Sequence, residues 1–331
     1  MVFKNDAWLS TVTEEILEPD REIVDPHHHL WPVEPMGYNL PELLADVGSG
    51  HKVVQTVFME CGAGYRADGP DHLKPVGETE FVAAAADKAK TQGAGVTIAG
   101  IVGRADLTSA HLDEVLDAHV EAAGGRFRGI RHALARADDP SAFRIAGDAP
   151  EGLSTDPDFR KGVARLGERG FTYDSWHYHW QNRDFLDLAR AVPDTTCVID
   201  HFGTPVGIGS HAGKRDEIFA AWTDDMAALA ECPNVVAKLG GLAMPDNGYG
   251  WDSRETPATS EEIVGAHARW YHHMIACFGA DRCMFESNFP VDRWSMSYPV
   301  YWNAMKIIAA DYTEAEKSAL FAGTARRVYS L

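Results

Sequence analysis

The sequence predicts a single (β/α)8 TIM barrel with long lid loops at its C-terminal face. Eight short, β-branched apolar runs recur along the 331 residues, helical patterns separate them, and the longest connections follow runs rather than precede them. Continuous apolar runs suit strands covered on both faces, as in a parallel sheet. Their alternation with helices over this length points to a barrel. A doubly wound sheet is the competing arrangement, but no G-x-G-x-x-G follows any run, which disfavours its dinucleotide-binding form.

In chain order, strands are expected at 22–25 (EIVD), 53–60, 96–102, 127–132, 171–176, 195–200, 234–239 and 282–287. Helical spacing covers 78–91, 110–123, 157–169, 183–192, 215–231 and 261–278. In the second of these, Leu112, Val115 and Leu116 share one face, with Asp113 and Asp117 on the other. Segments 135–156, 203–214 and 241–260 are rich in Gly, Pro, Asp and Ser and follow strands. In a barrel, such loops gather over the active-site face. No internal repeat or second domain is visible, so 1–331 reads as one domain with 1–21 as an N-terminal extension.

Composition excludes several classes of function. A hydrophobic fraction of 45% supports a sizeable core, and 49 acidic against 30 basic residues leave a net charge of −19. That balance argues against nucleic acid or an anionic membrane as partner. Five scattered cysteines without a C-x-x-C fit reduced thiols. The acidic first twenty residues lack a signal-peptide core, and no run nears the roughly 18 apolar residues of a membrane span. The expectation is a cytoplasmic enzyme with a small-molecule substrate; self-association as a homo-oligomer stays open.

The sharpest local feature is Asp25-Pro26-His27-His28-His29-Leu30-Trp31, directly after the first strand. Residues two apart in extended chain face the same side, so His27 and His29 can point together into the barrel mouth. Two convergent imidazoles supply half a tetrahedral zinc site. Other runs also end in polar groups: Glu60; Arg131 and His132; His177 and His179; Asp200 and His201; Lys238; and Glu286, Asn288 and Asp292. Barrel closure brings all these ends to one pocket. Trp31, Tyr65, Trp176, Tyr178 and Phe289 stand where they could wall a ring-shaped substrate.

These residues fall in IVDPHHHLW (23–31), GRFRGIRH (125–132), VIDHFGTP (198–205), VVAKLGG (235–241) and RCMFESNFPVD (282–292). The set resembles the amidohydrolase superfamily, in the amidohydrolase-related branch that holds 2-pyrone-4,6-dicarboxylate lactonase and sugar-acid lactonases. The resemblance spans about residue 22 to the end. It implies that His27 and His29, with His201, hold a divalent metal, zinc foremost, or form a metal-free carbonyl-binding cluster. It places His179, in preference to His177, at the end of strand 5, and Arg131 as a carboxylate or lactone-carbonyl clamp. Glu60, Lys238, Trp31, Tyr65, His177 and Asp292 join as substrate-binding positions.

One departure stands out. Where the family carries a metal-binding, base-acting Asp after strand 8, this chain has Asn288. An amide cannot take up a proton at working pH. Glu286, Asp292, Glu60 or a histidine is left to act as base. Lactone hydrolysis is the leading expectation; decarboxylation of an aromatic acid and ligand binding without turnover are the alternatives. The strand-end cations further predict a cationic pocket inside an anionic protein, suited to an anionic or carbonyl-rich substrate.

Overall fold

The computed structural model describes residues 4–32 and 37–331; of the N-terminal extension, residues 1–3 lie outside it. Eight strands form one parallel sheet in the order of the chain: β1 Glu22–His28, β2 Lys52–Met59, β3 Thr97–Gly103, β4 Phe127–Arg131, β5 Thr172–Ser175, β6 Cys197–Ile199, β7 Val235–Leu239 and β8 Cys283–Phe285. After the short α1 (Asp6–Leu9), helices follow the strands in turn: α2 Leu40–Val47, α3 Val76–Thr91, α4 Leu112–Ala122, α5 Pro157–Glu168, α6 Asn182–Ala191, α7 Arg215–Ala230, α8 Ser260–Phe278 and α9 Tyr298–Ile308. Two further helices, α10 (Glu314–Ser318) and α11 (Thr324–Tyr329), end the chain. The expected (β/α)8 barrel is therefore the observed architecture.

The sheet closes at the upper ends of β1 and β8. His29 N donates to Phe289 O at 2.8 Å and Asn288 N to His27 O at 3.0 Å. Closure is fixed from outside by Asp25, whose carboxylate accepts from the backbone N and Oγ of Ser287 and from Tyr298 OH. Burial, opposed by these hydrogen bonds, pushes the Asp25 pKa up to about 6.

Strand parity separates two cores. Outward residues such as Ile23, Phe58, Tyr173, Ile199, Leu239 and Phe285 pack under the helices. Inward residues Val24, Val57, Met59, Val102, Val198, Val236 and Met284 fill the lower barrel, where Ala325 and Tyr329 of α11 join them. The barrel is thus plugged below by apolar layers, and any chemistry is confined to its upper half. The N-terminal extension lies along α9, with Lys306 Nζ donating to Leu17 O at 2.7 Å and Glu18 O at 2.8 Å.

The three long post-strand segments meet above the barrel. Asp246 ties them together, accepting from Arg144 N and Ile145 N of the first lid while its own carbonyl accepts from Gly207 N of the second. Among the described residues, no helix is long and apolar enough to cross a membrane.

Candidate active site

The upper barrel holds a layer of buried charge directly above the apolar plug. Lys238, fully buried on β7, donates to Asp174 at 2.9 Å and lies 3.2 Å from Asp200. Burial works against its charge, but the two carboxylates raise its pKa above the ordinary lysine value. Tyr329 OH of α11 closes the layer from below by donating to Asp174. Lys238 therefore supports the site from beneath and lies off the cavity wall.

The next layer is the imidazole cluster. β1 shifts register between Asp25 and His28, a bulge-like irregularity of the kind that re-aims side chains. His27 and His29 both point inward, with their Nε2 atoms 3.2 Å apart. His29 Nδ1 lies 2.9 Å from Met59 O. A carbonyl can only accept, so the His29 proton sits on Nδ1 and its Nε2 is bare. Glu286 serves two rings at once: Oε2 is 2.7 Å from His27 Nδ1 and Oε1 is 2.7 Å from His201 Nδ1. The carboxylate is the nearer neighbour of His27 Nδ1, with Lys238 Nζ farther off at 3.5 Å. Arg131 Nη1, which can only donate, faces His27 Nε2 at 3.5 Å, so that nitrogen is an acceptor and bare as well.

Two lone pairs facing one another at 3.2 Å in a buried site invite a cation between them. Burial, reinforced by nearby Lys238 and Arg131 respectively, holds His27 and His29 well below the ordinary imidazole pKa, in the neutral, ligating form. Zinc–imidazole bonds of about 2.0–2.1 Å in tetrahedral geometry place two nitrogens about 3.3 Å apart. The pair fits that spacing. His27, His201 and Glu286 also gather within reach of one ion. Glu286 hydrogen-bonds His201 Nδ1 through Oε1 and makes a close polar contact with His27 Nδ1 through Oε2, which makes it the partner that orients the rings.

Arg131 flanks this cluster from β4. Its Nε donates to Glu60 Oε1 at 2.8 Å, Nη2 donates to Glu60 O, and Nη1 lies 3.4 Å from Asp200. The same Nη1 is 3.5 Å from His27 Nε2. A guanidinium held on three sides keeps one orientation at the cavity floor.

His201 owes its position to local backbone. Residues 201–204 all take positive φ, from 40° to 64°, a sharp reversal at the end of β6. Gly241 (φ 74°) faces the ring, and a Cβ there would lie 2.4 Å from His201 Nδ1. Asn288 is also left-handed (φ 56°), a conformation Asn tolerates better than most residues. Its amide donates to Asp292 Oδ1 at 3.1 Å, while Asp292 Oδ2 is buried without a partner. Burial lifts the Asp292 pKa to about 7, against the pull of His201.

A cavity of about 830 Å³ opens above the cluster, walled by His29, Trp31, Glu60, Arg131, Trp176, His201 and Asn288 among others. His27 and Glu286 stand directly behind its floor. Strand parity keeps His177 and His179 away from it. Thr172, Asp174 and Trp176 face inward, so His177 turns outward, hydrogen-bonds Ser175 Oγ at 2.9 Å and stacks on Phe185. His179 lies in a short turn and accepts from Val206 N at 3.2 Å, bracing a lid. Burial lowers the pKa of both to about 4. Tyr65 is 39% exposed and, like Asp292, is absent from the wall.

The expected cationic pocket is corrected by the structure. Six carboxylates (Glu60, Asp106, Asp148, Glu151, Asp156 and Asp246) line the cavity against two arginines, Arg104 and Arg131. The strand-end cations are neutralised in place: Lys238 by Asp174 and Asp200, and Arg131 by Glu60 and Asp200. The lids then add carboxylates from positions that strand ends do not reveal. Arg104, two residues beyond the expected third strand, could have been found by the same strand-end logic.

A family model described as amidohydrolase matches residues 24–331. The chain is 33% identical over 332 residues to an uncharacterized protein, y4mH, of Sinorhizobium fredii, covering 94% of this chain and 99% of that one. It is 27% identical over 328 residues to an L-fucono-1,5-lactonase of Burkholderia multivorans, covering 93% and 96%. A crystal structure of an amidohydrolase from Burkholderia multivorans with bound zinc superposes with a TM-score of 0.70 at 26% identity, over 94% of this chain and all of that one. With an imidazole cluster at the mouth of a (β/α)8 barrel and a family match across nearly its whole length, this chain belongs to the amidohydrolase family.

Proposed function

We propose that this protein hydrolyses a small, uncharged, hydroxyl-bearing lactone. The carrying observation is the imidazole pair at the cavity floor, His29 in it and His27 directly behind, with facing Nε2 atoms beside an immobilised arginine. Support comes from the lactonase relative and the zinc-containing neighbour. His27 and His29 would hold the divalent ion, zinc by the chemistry of the donor set. When bound, zinc polarises a carbonyl and lowers the pKa of water.

The chain's own groups carry the remaining chemistry. Arg131 donates hydrogen bonds to the lactone carbonyl oxygen and stabilises its charge as water adds. His201, with its proton held at Nδ1 by Glu286, offers Nε2 to the attacking water and returns the proton to the ring oxygen as the C–O bond breaks. Glu286 stabilises the imidazolium formed, so it orients the base rather than acting as one. Asn288, its NH2 group held by Asp292, lines the cavity and leaves its carbonyl oxygen as an acceptor.

Substrate class follows from the wall. Carboxylates accept hydrogen bonds from hydroxyls, and the indoles of Trp31 and Trp176 offer apolar faces to a ring. Six wall carboxylates oppose an aryl carboxylate or a dicarboxylated pyrone. A panel of neutral sugar lactones, carboxylated lactones and dihydroxybenzoates, followed by acid release and CO2 evolution, tests this assignment. Turnover confined to the neutral lactones is expected. Turnover confined to the acids, or ligand binding without turnover, would overturn it.

A further inference from the structure

Outside the barrel, a second set of ligands stands where two segments of the cavity wall run back to the helical layer. His72 lies in the turn Asp71–Leu73 between β2 and α3, His111 caps α4, and Glu114 sits in the first turn of α4. Both imidazoles converge on one oxygen, with His72 Nε2 3.0 Å and His111 Nδ1 3.4 Å from Glu114 Oε2. All three ligand atoms lie within 4.8 Å of one another. The two rings stack at 4.3 Å with their planes 12° apart.

As stacked, the two rings keep their in-plane lone pairs nearly parallel, so an ion shared between them requires the His111 ring to turn out of the stack. Two imidazoles and one carboxylate suit zinc, copper or nickel, whereas calcium and magnesium demand oxygen donors. The side chains of His111 and Glu114 are more than half exposed, which leaves room for the His111 ring to turn and for water to complete the shell. We propose that His72, His111 and Glu114 form a surface site for a divalent transition-metal cation of the zinc class, separate from the barrel cluster.

The site has a structural consequence. The segment carrying His72 begins at Glu60, Cys61 and Gly62, and the segment leading to His111 passes through Arg104, Asp106 and Thr108; all six line the cavity. A cation held between them cross-links two adjoining parts of the wall.

The test is zinc chloride titration of the metal-stripped full-length chain, read by calorimetry and by zinc content after gel filtration. Wild type is compared with His111→Ala/Glu114→Gln, both exposed positions, and with His27→Ala/His29→Ala, which empties the barrel cluster. The surface variant should bind one zinc fewer per chain, or bind it at least about tenfold more weakly, the minimum expected from losses beyond the ligands alone. The barrel variant should still bind one zinc. Equal zinc binding by wild type and the surface variant would overturn the proposal. So would a folded barrel variant that takes up none. If the barrel cluster alone binds none, wild type and the barrel variant take up zinc equally while the surface variant still loses one, so the two sites are judged separately.

Discussion

Glu286→Gln probes the logic of the floor with the smallest change in shape. The carboxylate is fully buried and lies 2.7 Å from Nδ1 of both His27 and His201. Glutamine keeps one acceptor oxygen but replaces the other with an NH2 donor. It can serve only one Nδ1–H, so the second ring must move its proton to Nε2. If that ring is His201, it loses its acceptor toward the attacking water; if it is His27, it loses a bare ligand nitrogen. A general base typically contributes at least about 10²-fold, or about 2.7 kcal/mol of barrel-floor catalysis at 1.36 kcal/mol per decade. The expected result is a fall in kcat of ~10² or more, with KM changed little because Glu286 is behind the wall. Steady-state lactone hydrolysis is the assay, with circular dichroism and metal content as controls. A folded Glu286→Gln enzyme within about threefold of wild-type kcat would refute the tautomer argument, since tenfold is only 1.36 kcal/mol.

Three other perturbations test neighbouring parts of the site. Asn288→Asp sets a second carboxylate about 3.1 Å from Asp292; the two cannot both ionise at neutral pH, so the pH–rate profile should gain a new ionisation, and an unchanged profile would remove Asp292 from the site. Asp292 itself has a folded pKa of about 7, above the roughly 3.9 of an unfolded aspartate. The folded state therefore binds more protons between about pH 4 and 7, and stability falls as pH rises through that window. Asp292→Asn should flatten the fall, as read by denaturant midpoints at pH 5, 6 and 8; parallel curves would refute the buried-acid assignment. Lys238→Met leaves Asp174 and Asp200 without their shared buried cation and should cost on the order of 3–5 kcal/mol in urea unfolding, whereas a loss below about 1 kcal/mol would mean the carboxylates are neutral.

Much of the fold was legible because its signals are local. Apolar runs of strand length, broken by helical spacing, mark all eight strands to within a few residues, and the extra reach of β1 through His28 reflects pairing with β2 and with Phe289 just beyond β8. The HxH pair was legible for the same reason: one strand end supplies both ligands. Strand 5 was harder to read, because His177 and His179 share a parity that local sequence does not resolve as inward or outward. The packing of Tyr173 outside and Asp174 against Lys238 sets that parity, and it delivers Trp176 to the wall instead.

By itself, the amino-acid order determined the barrel, the convergence of strand-end polar groups and the presence of His27, His29, Arg131, His201 and Asn288 at one mouth. Each depends on periodicity and chain position, which short-range sterics and burial enforce. Tertiary structure alone decided what those groups do. Glu286 became the holder of two imidazole tautomers, Lys238 became a neutralised support, and lid carboxylates made the cavity acidic. Charge and protonation depend on distance and dielectric between residues far apart in the chain, and neither exists until the barrel closes.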